Sequence, residues 1–151
     1  MVGAYFDSGV LVKNYCRELT SPQAIALILA EPPPLPLTHL QEAEIRNALR
    51  LKLFRREMTA PALKGALSLL DEDIRAGRFV RPAYQASSVY RRAELLSRQH
   101  TTTTGARMLD ILHAAAALEI GAVRFVSFDL RQRAVAKKAG LKVIPKTMIS
   151  V

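Results

Sequence analysis

The chain has 151 residues, half of them hydrophobic, with 22 basic and 13 acidic side chains and a net charge of +9. That is enough for one core without disulfide or metal staples, and the balanced composition excludes a disordered or fibrous chain. Cys16 is the only cysteine, which excludes an intramolecular disulfide and points to a reducing compartment. No uninterrupted apolar stretch could span a bilayer, and the N-terminus lacks a charged region followed by a long apolar run. The expectation is a soluble cytoplasmic protein without a membrane segment. The basic surplus suits either association with phosphate backbones or simple solubility.

In chain order, short β-like runs alternate with longer helical ones, the pattern of a parallel α/β sheet. Val2 to Phe6 reads as the first strand and ends at Asp7. Ser8 can cap a short helix carrying Val10, Leu11 and Tyr15. Ser21-Pro22 starts a second helix that runs to Glu31, where Pro32 to Pro34 stop it. Leu35 to Thr38 is a short strand that Pro36 demotes to an edge or entry role. From His39 to about Glu57, Leu40, Ala43, Ala48, Leu49 and Leu51 recur at helical spacing. Thr59-Ala60-Pro61 opens a helix through Leu63, Leu67, Leu70 and Ile74 to Gly77, followed by a strand at Arg78 to Arg81.

Ser87 or Ser88 opens the next helix, through Leu95 and Leu96, and Thr101 to Gly105 reads as a loop. Ala106 to Ile120 is an alanine-rich helix closed by Gly121. Strand Val123 to Phe128, helix Leu130 to Ala139, the stop at Gly140 and strand Leu141 to Ile144 complete the chain. Neither an internal repeat nor an interdomain linker is visible.

Four acids stand out: Asp7, Glu44, Asp110 and Asp129. Asp7 and Asp129 both follow strands, and ligands of open parallel sheets bind beyond the strands' carboxyl ends. If the first and fourth strands are neighbours, the two carboxylates face one crevice, where a hard cation such as Mg²⁺ would relieve their repulsion. The plainer alternative is that each Asp caps the helix after it. Asp110 begins an otherwise apolar helix, and Arg107, three residues earlier, is its alternative partner. His113 either bonds toward Asp110 or packs in the core, and the core is the preferred reading. Helical spacing sets Glu44 with Leu40, Asn47 and Leu51, whereas Glu42 aligns with Arg46 and looks solvated.

Phe6-Asp7-Ser8, Glu44-Ile45-Arg46-Asn47-Ala48-Leu49, Arg107-Met108-Leu109-Asp110-Ile111-Leu112-His113-Ala114-Ala115-Ala116 and Ser127-Phe128-Asp129 with Arg131-Gln132 occur in that order. Together they resemble the four acidic motifs of the PIN domain, particularly the VapC-type toxins of bacteria and archaea. The resemblance spans nearly the whole chain and implies a single PIN-like domain over 1–151. Its implied fold is a three-layer α/β/α arrangement around a central parallel sheet of four to five short strands. It implies a metal-dependent endoribonuclease whose catalytic and metal-binding residues are Asp7, Glu44, Asp110 and Asp129, with Mg²⁺ or Mn²⁺ as cofactor. The implied partners are an RNA substrate, a cognate antitoxin and a second copy of the chain in a homodimer.

Gly9 departs from the family, which commonly has a small hydroxyl or amide side chain there, and so removes a possible hydrogen bond behind the metal. Ser127 and Thr102 to Thr104 are candidates for phosphate or supporting contacts, with caps and solvated loop residues as the alternative. Arg46, Arg50, Lys52, Arg55 and Arg56 form the densest basic stretch, suited to RNA, to an acidic partner or to solvent.

Other chemistries fit less well. An aspartyl-phosphate hydrolase needs a second Asp where Gly9 stands, and no Walker loop, nucleophile elbow or zinc spacing occurs. A non-catalytic RNA-binding or scaffold module with the same fold, and a nuclease of RNA or DNA processing with no toxin role, are the remaining rivals. A neighbouring small antitoxin gene would separate the last from a toxin.

Overall fold

The computed structural model describes residues 2–148. In chain order the elements are β1 (Ala4–Phe6), α1 (Ser8–Leu11), a 3-10 turn (Val12–Asn14), α2 (Ser21–Leu29), β2 (Leu35–Pro36), α3 (His39–Phe54) and α4 (Ala60–Arg75). β3 (Phe79–Val80), α5 (Ala86–Thr104), α6 (Met108–Glu119), β4 (Arg124–Val126), α7 (Leu130–Lys138) and β5 (Lys142–Ile144) follow. None of these helices is long and apolar enough to cross a membrane. All strand pairing is parallel, as expected, but it forms two sheets, of three and two strands, rather than one. The chain divides correspondingly into two compact units, Ser8–Arg81 and Met1–Asp7 with Pro82–Val151.

The discontinuous unit carries the sheet β1-β4-β5, with Tyr5 opposite Phe125 and Phe125 opposite Val143. The first and fourth strands are thus neighbours. All three residues of β1 are buried, so both faces of the strand are covered, as parallel sheets require. Tyr5 stacks on Phe125, with ring centroids 5.6 Å apart and planes 8° from parallel. The Tyr5 hydroxyl shares a 2.7 Å hydrogen bond with His113 Nδ1. Both side chains are fully buried, which settles His113 as a core residue of α6. Ala114 to Ala117 are buried as well; their small side chains let this helix be covered all round.

Thr101 to Thr104, expected as a loop, form the last turn of α5. The Thr103 and Thr104 hydroxyls donate to the His100 carbonyl, at 3.1 and 2.8 Å. This back-bonding satisfies a carbonyl near the helix end, and the helix stops one residue later at Gly105, whose φ of 64° suits glycine.

In the continuous unit, β2 pairs with β3, Leu35 opposite Phe79. A two-stranded pair tolerates Pro36, which has no N–H to give. Thr38 caps α3 by accepting from the Gln41 N–H at 3.2 Å, and the Gln41 side chain accepts from the Thr38 N–H at 2.7 Å. That reciprocal cap turns Gln41, Ile45 and Leu49 inward. Of the residues expected along this helix, Leu40, Ala43, Ala48, Leu49 and Leu51, Leu49 is buried, but Ala43 and Leu51 are exposed. The helix also ends three residues early, at Phe54, because Arg56 takes a φ of 60° and the Glu57 N–H reaches back to the Lys52 carbonyl at 2.8 Å.

Candidate functional site

In the sheet β1-β4-β5, the ends of two neighbouring strands carry acids. Asp7 follows β1 and is only 6% exposed, and its N–H donates to the Val126 carbonyl at 2.8 Å. Ser127, fully buried after β4, donates its hydroxyl to Asp7 Oδ2 at 3.2 Å. The same hydroxyl oxygen accepts the Asp129 N–H at 3.0 Å. One serine therefore joins the side chain of Asp7 to the main chain of Asp129. Asp129 is exposed and caps α7, its Oδ1 accepting from the Arg131 and Gln132 N–H groups at 2.9 and 3.0 Å. The capping alternative is thus realised, yet it uses one carboxylate oxygen of two.

Asp110, half-buried in the first turn of α6, behaves in the same way. Its Oδ2 accepts from the main-chain N–H of Arg107 at 2.9 Å, so the partner is the Arg107 backbone and not its guanidinium. An anionic side chain here also complements the positive end of the helix. The Thr103 and Thr104 hydroxyls, in contrast, are occupied within α5, and Thr103 additionally accepts from Lys138 Nζ at 3.3 Å.

Arg133 escaped the sequence reading, which dwelt on Arg131 and Gln132. Its guanidinium donates to the Ser127 carbonyl at 2.8 Å and to the Pro145 carbonyl at 2.7 Å, clamping the segment that carries Ser127. The signal was its position four residues after Asp129, one helical turn along α7.

Glu44 belongs to the other unit, where its Oε1 accepts from the Ser8 hydroxyl at 2.9 Å. Ser8 follows Asp7 directly in the chain, so a hydroxyl supports an acid here although Gly9 has none. Gly9 is exposed, and its carbonyl accepts from Lys13.

Glu42 is not solvated, contrary to expectation. It pairs with Arg46 at 2.9 Å and with Arg81, and Arg46 also reaches Asp71 at 2.6 Å. Lys52 pairs with Glu18 and Glu57. Of the dense basic stretch, Arg46 and Lys52 are therefore engaged internally, while Arg50, Arg55 and Arg56 are exposed. Burial raises the Glu42 carboxyl, but Arg81 and Arg46 outweigh it and hold the group below the ordinary carboxylate range. A depressed acid contributes stability above its unfolded pKa, and that contribution is lost as pH falls through the folded value. Glu42→Gln should accordingly flatten the loss of stability between about pH 5 and pH 3, read from urea midpoints.

The two largest hollows described, about 880 and 910 Å³, lie in the continuous unit and share Tyr15, Cys16, Arg17 and Glu18. None of the four acids lines them. Burial pushes the Cys16 thiol up, the opposite of what an activated nucleophile needs.

Carboxylates are the hard oxygen donors that Mg²⁺ and Mn²⁺ take. Among the described residues, no group of three or more His, Cys, Asp or Glu side chains is gathered to hold a metal. Mg²⁺ does not need such a cage, since it keeps several waters and is commonly held by one or two carboxylates together with substrate phosphates. Asp110 and Asp129 each engage the protein through a single oxygen, so the donor set fits a hard divalent cation in kind.

No protein-family profile matches the sequence, and no curated protein matches it significantly. The fold does match a solved structure, the crystal structure of FitAcB from Neisseria gonorrhoeae, with a TM-score of 0.62. The match covers 93% of this chain and 95% of that one at 16% sequence identity. At that identity the likeness shows fold alone: a mixed α/β architecture of parallel strands flanked by helices.

Proposed function

We propose that the chain is a metal-dependent endoribonuclease, the toxin of a toxin–antitoxin pair, built as one PIN-like domain over 1–151. The observation that carries this reading is the Ser127 hydroxyl, shared between Asp7 and Asp129. It supports two acids at the carboxyl ends of adjacent strands, where α/β folds bind ligands. The fold shared with FitAcB supports the architecture this reading needs, and the antitoxin partner rests on the family resemblance. The homodimer rests on the family resemblance.

By the family resemblance, Asp7, Glu44, Asp110 and Asp129 would be the residues to hold Mg²⁺ or Mn²⁺. Bound there, the cation would supply neutralisation of phosphate charge and acidity for the attacking water. Ser127 orients Asp7, and Ser8 orients Glu44, by donating to carboxylate oxygens. Arg133 holds the Ser127 carbonyl and so fixes the segment between β4 and α7. The Arg131 and Gln132 amides fix one oxygen of Asp129 and so orient its carboxylate.

The test is cleavage of a panel of tRNA, rRNA and single-stranded DNA with Mg²⁺, Mn²⁺ or EDTA. RNA cleavage should vanish in EDTA and return with either metal. Cleavage that persists in EDTA rejects the mechanism, and a folded protein that cuts nothing moves the weight to an RNA-binding scaffold.

A further inference from the structure

We infer that Arg133, Lys137, Lys142 and Lys146 form a docking site for the phosphodiester backbone of single-stranded RNA. The site is a hollow of about 380 Å³ lined by these four cations together with Leu141 and Val143. It lies in the discontinuous unit, between α7, the edge strand β5 and the segment after it.

Among the described residues, no carboxylate forms an ion pair with any of the four. Arg46, Lys52, Arg78, Arg81 and Arg92, in contrast, all have acidic partners. Arg133 has only neutral ones. Its two hydrogen bonds go to main-chain carbonyls, which hold the guanidinium in place without cancelling its charge. Fixed donors of this geometry suit phosphate oxygens. The three lysines are exposed, so their charge is available to a ligand.

Position favours RNA over an acidic protein. Arg133 and Lys137 follow Asp129 at successive turns of α7, about 5.4 Å of rise each. A strand lying along that helix would pass from the hollow to the acid. A protein partner would want an apolar centre, and here four of the six lining residues are cationic. The inference rests on the nuclease reading for its choice of RNA, but its test needs no cleavage.

The probe is a fluorescein-labelled oligouridylate, followed by anisotropy in EDTA across a NaCl series. The proteins are wild type, the triple variant Lys137→Gln/Lys142→Gln/Lys146→Gln, and a charge-matched control, Lys64→Gln/Arg75→Gln/Arg91→Gln. All six positions are exposed, so the folds should survive, and circular dichroism checks that. Three lost phosphate contacts should weaken binding at least tenfold at low salt and reduce the slope of log K against log salt by about 2. The control should change either quantity much less. Equal losses in the two triples would reduce the effect to net charge and overturn the site, as would an unchanged triple. Tighter binding of labelled polyglutamate than of oligouridylate, lost in the same triple, would reassign the surface to an acidic protein. Because binding is read without metal, failure here leaves the nuclease reading intact, and failure of cleavage leaves this site intact.

Discussion

Asp110→Asn should lower metal-dependent RNA cleavage about 10³-fold, equivalent to roughly 4 kcal/mol of transition-state stabilisation. Asparagine is nearly isosteric and keeps a carbonyl oxygen that can accept the Arg107 N–H now bonded at 2.9 Å. What it removes is negative charge and an oxygen able to ligate a hard cation. The cost to folding should stay below about 1 kcal/mol, the scale of a charge at a helix terminus. Asp110→Ala removes the acceptor as well, so it should add about 1 kcal/mol of instability with no further loss of activity. Running both variants through cleavage and urea unfolding separates the chemical role from the capping one. Full activity in Asp110→Asn would remove Asp110 from the site. Asp129→Asn follows the same logic, since asparagine caps a helix as well as aspartate does.

Phe125→Ala should act in the opposite sense, destabilising by about 3–5 kcal/mol while touching no acid. Phe125 is fully buried in the central strand of its sheet. It stacks on Tyr5, which in turn bonds to His113 on α6. The ring is therefore the centre on which β1 and β4 agree, and removing it leaves a cavity that buried neighbours cannot fill. Urea unfolding should show the midpoint falling steeply with a nearly unchanged slope, and Phe125→Leu should recover most of the loss. A cost under about 1.5 kcal/mol, the usual size of a conservative swap, would mean that the sheet is held elsewhere.

The placement of Asp7 and Asp129 after neighbouring strands was readable because each ends an apolar run. Punctuation marked the elements well: Gly105, Gly121 and Gly140 all have positive φ next to helix ends, and Ser21-Pro22 opens α2. Three features depended on contacts that one-dimensional pattern does not contain. The buried face of α3 includes a glutamine, because Gln41 is turned inward by its exchange with Thr38. The threonine tract continues α5 to Gly105, with the Thr103 and Thr104 hydroxyls returned to the His100 carbonyl. Arg133 matters through carbonyls at Ser127 and Pro145, residues that periodicity does not connect to it. The division into two sheets was equally hidden, since strands two or three residues long leave little pattern to read.

The pairing of β1 with β4 also has a consequence in time. Ala4 waits for Arg124, so β1 leaves the ribosome well before the strand that it joins. Closing so long an interval is slow compared with forming helices or nearby contacts. The amide of Asp7 needs the Val126 carbonyl, and its carboxylate needs Ser127. A nascent chain that stops before Arg124 therefore carries Asp7 and Asp110 without the strand that seats the first of them. Assembly of this acidic edge therefore follows synthesis of β4, and chains ended before Arg124 should lack it.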